Sequence, residues 1–96
     1  MKMLFIVYDV EFDEDVMETL KACCIRGYTK WDRVLGKGEK SNPKLDDAVW
    51  PGYNCTVAVA VEDSIEDETI KALTGLSEKL DGKGFKVFEL PVLRVV

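Results

Sequence analysis

Apolar residues recur with two spacings along this chain, and each change of spacing marks a new element. Met3 to Val10 is a nearly continuous run of β-formers and predicts a first strand. Asp13-Glu14-Asp15 then set acids where a helix N-terminus favours them. Val16, Met17, Leu20, Cys23 and Cys24 follow on one helical face, and Gly27 is the expected left-handed stop. Tyr28 to Leu35 predicts strand two, and Tyr53 to Val61 predicts strand three. In strand three, Tyr53, Cys55, Val57, Val59 and Val61 share one face, while Asn54, Thr56, Ala58 and Ala60 share the other. Neither face carries a charge, so both are expected to be covered. Ser64 with Asp67 and Glu68 predicts the capped start of a second helix. Its buried stripe is Ile70, Leu73, Leu76 and Leu80, and Asp81-Gly82-Lys83-Gly84 ends it. Phe85 to Leu90 and Val92 to Val96 form a last strand, interrupted by Pro91, a residue suited to an edge or a bulge.

The order βαββαβ predicts one domain over residues 1–96. It has the α+β, ferredoxin-like arrangement, an antiparallel sheet with both helices on one face. Two helices cover only one side of such a sheet. The small, uncharged second face of strand three is therefore expected to meet another copy of the chain in a closed homo-oligomer.

Between strands two and three lies Gly36 to Gly52, seventeen residues without hydrophobic periodicity. Compact domains seldom keep such a loop unless it binds, covers or contacts something. It carries Lys37, Lys40 and Lys44, the pair Asp46-Asp47, and the apolar group Val49-Trp50-Pro51. Lys40, Lys44, Asp46, Asp47 and Trp50 are the candidate partner-binding residues. Trp50 either anchors a partner or folds the loop back onto the body or a neighbouring subunit.

Composition removes several functions. A net charge of −5 argues against sequence-independent nucleic-acid binding, which needs a basic face. The apolar runs are too short for direct membrane insertion. Histidine is absent, and with it the commonest acid–base group and any Ser-His or Cys-His nucleophile, so an enzyme is not expected. Three cysteines, Cys23, Cys24 and Cys55, form no even disulfide framework and fit a reducing compartment, the cytoplasm by default. They are either soft metal ligands or, more simply, core residues. Asp81 to Gly84 either cradles an anion or only ends its helix.

The segments RGYTKWDRVLGKG, YNCTVAVAVED and DGKGFKVFELPV together resemble the PII-like signal-transduction proteins over essentially the whole chain. Gly36 and Gly38 match the glycines that launch that family's long T-loop. Asp81-Gly82-Lys83 matches its B-loop, and Leu90-Pro91-Val92 its last strand. The resemblance implies a homotrimer that binds a small effector, such as an ATP- or ADP-like nucleotide, between subunits. It also implies loop control of a membrane transporter or an enzyme. The ligand-binding candidates it points to are Gly36, Lys37, Gly38, Lys83, Lys86 and Arg94. Four family features differ: Glu39 and Lys40 follow Gly38 where a glutamine is usual, the neutral Tyr53-Asn54-Cys55 stands where a lysine enters strand three, Arg94 is the only base in the tail, and Tyr53 lies at the loop's foot rather than its tip. The alternative is a divalent-metal trimer similar to the CutA family, which shares the same element order.

Overall fold

The computed structural model describes residues 1–96. β1 (Lys2–Asp9) runs through a single 3-10 turn (Val10–Phe12) into α1 (Asp13–Ala22). β2 (Thr29–Val34), β3 (Asn54–Val61), α2 (Asp63–Lys79) and β4 (Phe85–Pro91) follow. The strands make one antiparallel sheet in the order β2-β3-β1-β4. This is the ferredoxin-like sandwich expected from the element order.

The core forms where the alternation of β1 and β3 meets the helices. Leu4, Ile6 and Tyr8 stand opposite Val59, Val57 and Cys55 and pack in one buried cluster with Val16, Leu20, Leu73 and Leu76. Ile70 and Leu80 are partly buried against it. Thr69 joins them fully buried, its hydroxyl donating to the Ile65 carbonyl oxygen at 2.8 Å, so no polar atom is left unsatisfied there. The opposite face of the sheet has no cover. Phe5 pairs with Ala58 on one side and Phe88 on the other, Met3 pairs with Leu90, and the Trp31 ring stacks on Phe5 at 6.4 Å between centroids. Trp31 is 46% exposed and Phe88 55%.

Both helices end in the same way, and not at the expected residues. Cys24, with φ 63°, is the left-handed residue after α1; its N–H donates to the Lys21 carbonyl and that of Ile25 to Leu20. Asp81, with φ 55°, plays the same part after α2, with its N–H on Glu78 and that of Gly82 on Ser77. These are paired C-terminal closures of the Schellman type. Gly27, the expected stop, lies beyond the closure and has no left-handed φ. Cys24 is accordingly exposed and Cys23 half-buried, which corrects the expectation that both face the core; only Cys55 is buried. A side chain in the left-handed region is strained by about 1 kcal/mol or more. Cys24→Gly should therefore raise the melting temperature by a few degrees in a calorimetric scan, since glycine relieves that strain.

Two further corrections concern ends. α2 begins at Asp63 without a side-chain cap from Ser64; the Asp63 carboxylate instead accepts from the N-terminal ammonium at 2.5 Å. β4 stops at Pro91, and Val92 to Val96 continue as irregular chain, exposed beyond Val92, whose N–H still donates to the Met1 carbonyl oxygen at 3.2 Å.

Candidate functional site

The end of β1 is the point at which the long loop and the turn after α2 meet. The Asp9 N–H donates to the Gly84 carbonyl oxygen at 2.8 Å, and the next amide, Val10, donates to Tyr53 at 3.1 Å. Asp9 Oδ1 accepts from the Glu11 N–H at 3.0 Å and caps the 3-10 turn. Asp9 Oδ2 takes an ion pair from Lys44 Nζ, also at 3.0 Å. One residue thus ties β1, the loop and the 81–84 turn together. The fit is close: a Cβ on Gly84 would lie 3.3 Å from Asp9 Cβ and 3.2 Å from the Phe12 ring, at a φ of 63° that also disfavours any side chain.

The loop itself is built rather than structureless. Gly36 and Lys44 exchange both backbone hydrogen bonds, at 3.0 and 2.7 Å. Leu45 and Asp47 donate their amides to the Trp50 carbonyl, and Asp46 donates to Gly52. The Asp47 carboxylate accepts from the Val49 and Trp50 amides, closing a local turn. Arg33 pairs with Asp46 and lies over the Tyr53 ring, 4.6 Å from its centroid.

These contacts redistribute the candidate residues. Gly36, Lys37 and Gly38 form the loop's outgoing limb, with the Gly38 N–H donating to Ser41 Oγ at 3.1 Å. Lys40 is exposed and Trp50 is 38% exposed. Lys44 and Asp46, assigned from sequence to partner contact, are each paired within the chain, Lys44 with Asp9 and the exposed Asp46 with the exposed Arg33. Lys83 is exposed on the 81–84 turn, but the backbone cradle imagined there does not form. The amides of Asp81, Gly82 and Lys83 donate to Glu78, Ser77 and Leu80, so an anion would meet the lysine and not a ring of N–H groups. Lys86 stands opposite Val7 on the uncovered face of the sheet. Arg94 follows the end of β4 that pairs with Lys2, so the length of β1, about 3.3 Å per residue, separates it from Asp9 in the same chain.

Sequence reasoning missed two participants, Asp9 and a second charged group beneath the sheet. There the Asp13 carboxylate accepts from the Tyr8 hydroxyl at 2.6 Å and from Lys30 at 2.7 and 2.9 Å. Burial pushes the Asp13 carboxyl up, but the Lys30 and Tyr8 hydrogen bonds outweigh it and hold the group below its ordinary range. The same bond to Asp13 raises Lys30. Burial raises Tyr8 far above the usual phenol range, and it raises the Cys55 thiol. The network fastens the start of α1 to strands β1 and β2. No group of three or more Cys, Asp or Glu side chains is gathered to hold a metal ion. No helix is long and apolar enough to cross a membrane.

Solved structures with this fold include CPII, a nitrogen regulatory PII-like protein from Thiomonas intermedia K12, bound to ADP, AMP and bicarbonate. It is 18% identical with a TM-score of 0.72 over 97% of this chain and 88% of that one. The same protein bound to ADP and bicarbonate aligns at 17% identity and TM-score 0.68, over 97% and 88%. Its apo form aligns at 17% and 0.67, over 95% and 89%. A comparison with curated proteins finds no match. The model of the nitrogen regulatory protein P-II family matches residues 1–96, the whole of the sequence, and the chain belongs to that family.

Proposed function

We propose that this protein is a trimeric, cytoplasmic regulator that binds a small phosphate-bearing effector, with ADP the first candidate, and reports its presence through the 36–52 loop. The observation that carries this reading is the convergence of the loop base and the 81–84 turn on Asp9 in a P-II family chain. Lys37 and Lys44 from the loop and Lys83 from the turn supply the positive charge that a phosphate needs, each as a mobile point charge rather than a fixed fork. Structural relatives that hold ADP, AMP and bicarbonate favour an adenine nucleotide over other anions.

Assembly follows from the apolar sheet face formed by Met3, Phe5, Ala58, Phe88 and Leu90, which water solvates poorly and a second and third copy would cover. In a trimer Lys86 lies at that junction, and Arg94 can reach an effector only from a neighbouring protomer. The partner, a transporter or an enzyme, meets exposed loop residues that include Lys40, Asp47 and Trp50. The chain is read as non-catalytic on the strength of its P-II family membership.

A thermal melt with ADP tests the effector. A ligand that binds only the folded state stabilises it by RT ln(1 + [L]/Kd), about 2.7 kcal/mol at a hundredfold excess. For a domain of this size the melting temperature should rise by roughly ten degrees or more. If millimolar ADP leaves the melt unchanged, the nucleotide reading is wrong.

A further inference from the structure

Lys44 is the loop lysine that the fold brings against the end of β1, and its ammonium is already bonded to a carboxylate of the same chain, 3.0 Å away. Asp9 stands where an effector's negative charge would be welcomed by Lys44 and opposed by the carboxylate itself. Its position is fixed, because its amide is held by Gly84 and its other oxygen by the Glu11 N–H. Lys44 is held less firmly: its backbone is pinned by the bridge to Gly36, but its side chain is 37% exposed and rests along Gly52 with no second polar partner.

We propose that Asp9 is a built-in competitor for the effector: it occupies Lys44 in the empty protein and holds the loop down. An arriving phosphate takes over Lys44, and the loop is released from β1. This rests on the effector reading above and adds its regulation. Lys44 is then the coupling residue, because the same ammonium serves the loop's resting contact and the ligand. A ligand shifts a two-state element only through its different affinity for the two states, and here the difference is one ion pair exchanged for another. The affinity of the empty protein is lowered by the fraction of molecules in which Lys44 is engaged. The second clamp, Arg33 with Asp46 and the Tyr53 ring, stays closed and limits the release to the limb between Gly36 and Lys44.

Three variants test this in the full-length protein: Asp9→Asn, Lys44→Gln and the pair together. Asparagine keeps an oxygen for the Glu11 amide and removes only the charge. ADP affinity measured by titration calorimetry should tighten about three- to fivefold in Asp9→Asn, the range of a half-exposed ion pair. It should weaken in Lys44→Gln, and the Asp9→Asn gain should vanish in the double variant. A gain that persists in the Lys44→Gln background would mean that Asp9 merely repels the anion, which overturns the exchange. Without any ligand, trypsin should cut after Lys37 and Lys40 faster in Asp9→Asn than in the parent. Equal cutting rates overturn the resting contact even if ADP binds well. Failure of both parent and Asp9→Asn to bind ADP, with the difference in cutting intact, would reject the effector and with it the competition, while retaining the clamp as a purely structural one.

Discussion

Ala58→Asp should convert the protein from a particle of three chains into a 10.8-kDa monomer by light scattering, with the far-ultraviolet circular dichroism of the fold retained. Ala58 sits at the middle of β3, its side chain directed away from the helices and flanked by Phe5 and Thr29 in the neighbouring strands. The core behind it is made by Val57 and Val59, which the substitution does not touch. A carboxylate placed among Phe5, Trp31 and Phe88 in an assembled sheet face would lose its water without gaining a partner. That penalty, several kcal/mol for an unpaired charge, is repeated in every protomer of the assembly. Folding alone loses no more than the modest strand preference of alanine over aspartate, of order 1 kcal/mol. A variant that remains assembled would show that copies meet through some other surface.

Asp13→Ala should lower unfolding free energy by about 2–3 kcal/mol in urea titrations, because it leaves the buried Tyr8 hydroxyl and the Lys30 ammonium without their shared acceptor. The pH dependence carries a sign that distinguishes this from a packing defect. Asp13 titrates below its ordinary range in the folded protein, so its contribution is complete above about pH 4–5 and is lost as the pH falls through the folded value. Lys30 titrates above its ordinary range, so its share is complete below the unfolded lysine value and is lost only as the pH rises through the folded one. The parent should thus lose stability toward acid, and Asp13→Ala should show a flatter acid limb. A variant within about 0.5 kcal/mol of the parent, the range usual for surface substitutions, would mean that the network is incidental.

Much of this fold is readable from short-range pattern, and the exceptions have physical reasons. β1 and β3 announce themselves because alternate residues must be apolar to line a core, and Leu4, Ile6, Val57 and Val59 do so. The uncovered face was equally legible in Ala58 and Ala60, which are small and uncharged on the side away from the helices. The helix ends were not. A glycine is the usual left-handed residue, so Gly27 drew the prediction, yet Cys24 takes that role because the chain must turn earlier to place β2 beside β3. The site was legible only in its glycines and lysines. Asp9 gave no signal, since it reads as the polar end of a strand and its partners Lys44 and Gly84 are distant in sequence. Asp13 was masked in another way: an acid at a helix start already has a sufficient explanation in the helix dipole, and nothing local shows that Lys30 will reach it from the edge strand. For the same reason Lys44 was placed with the outward-facing loop residues when its side chain turns inward.

The central claim is that the place where the loop base meets the 81–84 turn receives an adenine nucleotide, and calorimetric titration of the intact protein with ADP measures it directly. The account predicts saturable binding that approaches one ADP per chain, weakened by Lys44→Gln and abolished in the monomeric Ala58→Asp variant. Absence of binding heat at millimolar ADP in a protein that light scattering shows to be assembled would contradict it.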